Sequence, residues 1–176
     1  ENNLFVNTLF DFLDYKPKIV SPPDGIQPAR DGLTVEFRDV SFTYPGREEA
    51  GPALKNVSFT IHAGEAVALV GRNGAGKTTI VKLLTRLYDP DEGQILINGH
   101  DIKDYDLDAL RREIGVIFQD YVTYMMTAAR NIGVGRVGAM DDRDLVRASA
   151  AKSGASAVIE LLPDGYDTML GKQFEK

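Results

Sequence analysis

The residues Ala66-Val67-Ala68-Leu69-Val70 run directly into Gly71-Arg72-Asn73-Gly74-Ala75-Gly76-Lys77-Thr78, after which Ile80, Leu83, Leu84 and Leu87 recur at helical spacing. An apolar strand, a turn of the form G-x-x-x-x-G-K-[ST] and an amphipathic helix, in that order, restrict the chain to an α/β unit. The loop presents successive backbone N–H groups around one small volume, which suits the phosphates of a nucleoside triphosphate. Glycine permits the close approach, and the helix start near Gly76 adds partial positive charge. Lys77 reaches the β and γ phosphates, Thr78 offers a hydroxyl to Mg2+, and Thr79 offers a further hydrogen bond. The bland alternative is a glycine turn that only joins strand to helix.

Composition narrows the setting. With 176 residues, 43% hydrophobic and 26% charged, the chain is globular and large enough for one core. A net charge of −6 argues against bulk attraction to nucleic acid. The absence of cysteine excludes disulfides and thiolate metal sites. The apolar run 66–70 is far shorter than the roughly 20 residues of a spanning helix, so any membrane association is expected to come through a partner.

Residues 1–20 carry Leu4, Phe5, Leu9, Phe12 and Leu13 at the spacing of a short amphipathic helix, with Pro17 as its stop. Residues 21–32 are rich in turn formers and read as a linker. Leu33, Val35 and Phe37 alternate with polar residues, then Val40 and Phe42 continue on the other parity, which predicts a strand bulged near Asp39. Val57, Phe59 and Ile61 predict a second strand, and 66–70 a third, buried on both faces. Asn98-Gly99 between 94–97 and 100–102 predicts a hairpin with a type I′ turn. Further along, 107–112, 141–152 and 156–162 read as helices and 114–118 as a strand. Tyr121, Val122, Tyr124, Met125 and Met126 make an apolar stretch that either completes the local core or serves a partner.

At this point the chain resembles the ATP-binding cassette family, in particular the nucleotide-binding domain of exporters. Besides the phosphate loop, the resemblance lies in 35–46, VEFRDVSFTYPG; in 54–59, LKNVSF; in 93–102, GQILINGHDI; and in 114–120, IGVIFQD. It implies a P-loop NTPase core with an antiparallel β subdomain over 33–176, binding ATP with Mg2+. Tyr44 would stack on the adenine, against the plain reading of a strand-end tyrosine. Gln119, with Lys77, would be catalytic and would sense magnesium and the attacking water. The resemblance also implies a transmembrane domain and a second nucleotide-binding domain as partners, the first helix following from that membrane domain, and residence at the cytoplasmic face of the membrane. Arg130 departs from the family, which often carries an acidic residue there.

Hydrolysis needs an apolar strand ending in Asp followed by a Glu. Asp91-Glu92 follows a Pro-containing turn, and Glu160 lies inside a helical segment. The family's signature is not found either, and neither His62 nor His100 follows an acidic strand. The chain is therefore expected to end short of the signature, to have an incomplete sheet at its C-terminal side and to be inactive and poorly stable by itself. A cooperative transition near about 60 °C would contradict the last point. The rival readings are another P-loop phosphotransferase, which would transfer phosphate unaided, and an interaction fragment without turnover.

Overall fold

The computed structural model describes residues 9–10, 12–29, 32–117 and 122–171. They belong to two compact units, Glu1–Val116 and Ile117–Lys176. In the first unit β1 (Val35–Phe42), β2 (Leu54–Ile61), β3 (Glu92–Ile97) and β4 (His100–Asp101) form an antiparallel sheet in the order β2-β1-β3-β4. Along β2 the half-buried Val57, Phe59 and Ile61 alternate with exposed polar residues. One face of the sheet thus covers a core and the other meets water.

The two parities of β1 are reconciled by the predicted bulge. The register shifts between Phe37 and Val40 against β2, and Asp39 takes a φ of 49°. One extra residue changes the phase of the strand, so Phe37, Val40 and Phe42 are all buried. Ser58 fixes the bulge, accepting from the Asp39 N–H at 2.8 Å and donating to the Asp39 carboxylate at 3.0 Å. The predicted hairpin turn is also present, with φ of 48° at Asn98 and 83° at Gly99. The Asn98 side chain ties it to β1 by accepting from the Thr34 N–H at 2.8 Å.

Residues 66–70, predicted to be a doubly buried strand, belong to no strand and are exposed, Val70 to 93%. Of the strand predicted at 114–118, residues 114–117 also belong to no strand: Ile114 packs half-buried on the core, Ile117 is 93% exposed, and Phe118 lies outside the described residues. A strand exists through its hydrogen-bonded neighbours, and among the described residues no strand lies beside either segment. The apolar pattern is there; among the described residues the parallel sheet that would bury it is not.

Helix α1 (Lys77–Leu84) drives Leu83, fully buried, into the core with Phe37, Phe42, Leu54, Ile95 and Ile97. The sequence predicts that this helix reaches Leu87, but it stops three residues earlier, at Leu84. Arg86 takes a φ of 49°, and Leu87 is exposed. The free carbonyls at the helix end are capped from a distance by Arg111, whose guanidinium donates to Thr85 O at 3.1 Å and Arg86 O at 2.8 Å. Arg111 stands on α2 (Leu107–Arg112), which covers the predicted residues and is N-capped by Asp106. The stretch 21–29 runs along the same region: Ile26 N–H donates to Asp104 O and Ile26 O accepts from Asp106 N–H, at 2.9 and 3.0 Å. Ahead of it, Leu9, Phe10, Phe12 and Leu13 are helical and exposed.

Tyr105, 2% exposed, donates its hydroxyl to Ile97 O at 2.7 Å. Burial, helped by the Asp104 charge, raises its pKa above 10.0. The raised pKa means that the neutral phenol stabilises the fold, fully so below the unfolded-state value and progressively less as pH rises through the folded one. Chemical denaturation at successive pH values above about 9 should show this loss of stability, and the loss should be shallower in Tyr105→Phe. At neutral pH the same substitution should lower stability by about 0.5–1.5 kcal/mol, because the buried hydrogen bond to Ile97 O is lost.

The second unit contains α3 (Ala128–Gly133), α4 (Arg143–Ser153) and α5 (Ser156–Ile159). They close on a small core of Ala128, Ala150 and Ile159, flanked by Ile132, Leu162 and Tyr166. Helices α4 and α5 correspond to the predicted 141–152 and 156–162, with Asp142 capping the first and the second ending early. Asn131 of α3 organises the segment before it. Its amide oxygen accepts from Tyr124 N–H at 2.8 Å, while its amide nitrogen donates to the carbonyls of Tyr124, Met126 and Thr127 at 3.0–3.1 Å. Arg130, the departure noted in the sequence, pairs with Asp141 at 3.2 Å on the surface. No described helix is long and apolar enough to cross a membrane.

Candidate functional site

The phosphate loop enters α1 through Gly76, which has a φ of 84° and is buried as the N-cap. A side chain at this position has no room: a Cβ would stand 2.6 Å from Leu54 Cδ2 and 2.8 Å from Ala53 O. The absence of that Cβ lets the loop lie against β2 while α1 starts with its N–H groups free for a ligand. Ala75 N–H closes a turn on Arg72 O at 3.1 Å. The Lys77 ammonium bridges the loop, donating to Gly71 O at 2.6 Å and Arg72 O at 2.8 Å. These bonds hold a positive charge over the cradle formed by Gly71, Arg72, Asn73, Gly74, Ala75 and Gly76.

Thr78 points its exposed side toward a neighbouring cleft of about 510 Å3, lined by Tyr44, Pro45, Arg47, Thr78, Lys82 and Tyr88. The structure thus brings together two features far apart in sequence, the loop's threonine and the tyrosine after β1. The lining holds two cations, Arg47 and Lys82, and no carboxylate, so its charge favours an anionic ligand. Tyr44 is half-buried between two other rings, with Phe42 at 5.0 Å and Tyr88 at 5.4 Å between centroids. Its hydroxyl lies 3.1 Å from Thr79 Oγ1. Thr79, predicted to offer a further hydrogen bond, is only 4% exposed and has its hydroxyl engaged with Tyr44. Gln119 lies outside the described residues. Sequence reasoning missed Lys82 and Tyr88, although Lys82 follows Thr78 by one helical turn and therefore shares its face.

Residues 54–173 match the model of the family described as ABC transporter. The chain belongs to the ABC transporter family. It is 39% identical over 164 residues to the ATP-dependent lipid A-core flippase of Syntrophus aciditrophicus, covering 93% of this chain and 26% of that protein. The flippase of the same name from Escherichia coli K12 is 44% identical over 138 residues, covering 78% and 23%. Among solved structures, a bacterial Atm1-family ABC exporter with ATP bound superimposes with a TM-score of 0.84 at 37% identity, over 95% of this chain and 28% of the exporter. This ABC chain therefore spans about a quarter of the length of the curated relatives it matches.

The ABC assignment establishes the P-loop NTPase fold with its antiparallel sheet, as the sequence predicted. The family match begins at Leu54, the first residue of β2, and includes the whole phosphate loop. Tyr44 and β1 precede it, and the structure sets Tyr44 in the cleft that Thr78 also lines. His62 is exposed just after β2, and His100 sits in the hairpin with its ring 6.5 Å from that of Tyr105. Among the described residues no group of three acidic or imidazole side chains could hold a metal ion. The described part of this ABC domain is equipped to hold an anion.

Proposed function

We propose that residues 71–78 bind Mg-ATP and that the whole protein couples binding and hydrolysis of ATP to export across a membrane. One observation carries the reading: Lys77 is pinned over a glycine cradle whose own threonine opens into the Tyr44 cleft. The packing of Gly76 against Ala53 and Leu54 holds the loop in place, and the cations of the cleft fit a triphosphate. Backbone N–H groups of the loop and Lys77 would hold the phosphates, Thr78 would supply an oxygen to magnesium, and the face of Tyr44 would take the adenine. Bound Mg-ATP supplies the phosphoanhydride whose cleavage resets the transporter.

Gln119 is assigned the sensor of magnesium and water by family pattern. The catalytic carboxylate and the signature are assigned to sequence other than these residues, and the 176-residue chain is expected to bind ATP without turning it over. A transmembrane domain and a second nucleotide-binding domain complete the machine at the cytoplasmic face of the membrane. Val122, Tyr124 and Met125, all at least 49% exposed, offer the apolar surface for such a partner. The names of the relatives, an ATP-dependent flippase and an exporter with ATP bound, support this assignment.

Lys77→Ala should weaken Mg-ATP binding about 10- to 100-fold in titration calorimetry, through loss of charge-assisted hydrogen bonds. Unchanged affinity would remove the site from residues 71–78.

A further inference from the structure

The tyrosine at the cleft is tied to the helix that follows the phosphate loop. Its hydroxyl meets Thr79 Oγ1 at 3.1 Å, a link across 35 residues of chain, and Lys82 Nζ stands 5.2 Å from its ring centroid. Thr79 and Lys82 both belong to α1. The aromatic neighbours Phe42 and Tyr88 meet the ring nearly at right angles, at 80° and 88°. Edge contacts of this kind are broad in geometry, and they limit the ring's tilt more than its reach. A hydroxyl-to-hydroxyl bond is directional, and this one sets how far the ring stands from the helix.

We infer that Thr79 is a positioning residue for the base platform: its bond to the Tyr44 hydroxyl fixes the aromatic face relative to the phosphate loop. A base and a triphosphate are then read by one frame, because the platform is fastened to the helix whose start cradles the phosphates. The ligand class favoured is a nucleoside triphosphate whose base reaches Tyr44 while its phosphates occupy residues 71–78. Lys82, held over the same ring, adds a cation–π contact that steadies it. Burial keeps water from competing for the Thr79 hydroxyl, which is why a single bond suffices as a strut. The inference rests on the ATP-site reading above.

The test compares Mg-ATP with Mg-tripolyphosphate, which has the phosphates and no base. Both are titrated into the wild-type chain, Thr79→Val, Thr79→Ser, Tyr44→Phe and the Thr79→Val/Tyr44→Phe double variant. Thr79→Val and Tyr44→Phe should each weaken ATP about 3- to 10-fold, as expected for one hydrogen bond, and tripolyphosphate by less. The double variant should be no weaker than the worse single one, because both remove the same bond. Thr79→Ser should restore binding and keeps the test decisive if the valine variant folds poorly. Equal loss for the two ligands, additive losses in the double variant, or ATP binding unchanged in Tyr44→Phe would each overturn the inference. A Lys77→Ala control with wild-type ATP affinity would instead overturn the ATP-site reading, and the positioning role with it.

Discussion

Gly76→Ala is expected to lower the unfolding free energy by about 2–5 kcal/mol and to abolish detectable ATP binding, as read by urea unfolding and calorimetry. Two separate effects combine. At a φ of 84° alanine pays the steric penalty of the left-handed region, about 1–2 kcal/mol. The new methyl group must also displace Ala53 O or Leu54, and Leu54 is itself 5% exposed in the core. Overpacking of that kind adds about 1–3 kcal/mol. The strain is relieved most directly by lifting the start of α1 away from β2, and that start carries Lys77 and Thr78. Stability and binding should therefore fall together. Full ATP affinity in a destabilised Gly76→Ala would show that the cradle does not depend on this contact.

The second large effect is expected at Phe37. Its ring is 1% exposed and stacks on Phe59 with centroids 4.5 Å apart and planes 16° from parallel. Phe37→Ala should lower stability by about 3–5 kcal/mol, combining lost burial with a cavity the strands cannot collapse. Because Phe37 pairs with Phe59 of β2 and Ile95 of β3, the cavity opens under both flanking strands. Phe37→Leu should recover most of the loss. Denaturation midpoints of the two variants provide the measurement, and a loss below about 1 kcal/mol in the alanine variant would place the core elsewhere.

Local chemistry made much of this molecule legible in its sequence. The change of parity in β1, the Asn98-Gly99 turn and the helix 107–112 are each set by residues next to one another, and each is found where the pattern predicts. The phosphate loop belongs to the same class, since its glycines and the helix after it lie within a few residues. Features that depend on distant partners were not legible. Residues 66–70 have the composition of a central strand, but composition cannot supply a neighbouring strand. The early end of α1 is fixed by Arg111, 25 residues beyond the carbonyl of Arg86 that it caps. Helix α3 is short and half of it is Ala or Gly, so its hydrophobic period is weak; the Thr127 cap, accepting from Arg130 N–H, was the available signal. The engagement of Thr79 by Tyr44 was hidden for the same reason as the Arg111 cap.

The amide of Asn131 has a consequence for the surface around it. All four of its hydrogen bonds go to backbone groups of residues 124–127, and none involves an ionisable partner. The fastener is electrically neutral, so neither protonation nor added salt should loosen it. Tyr124 and Met125 are thus displayed on a mount held by uncharged groups alone, while the ion pairs Arg130–Asp141 and Arg143–Asp167 are open to acid and salt.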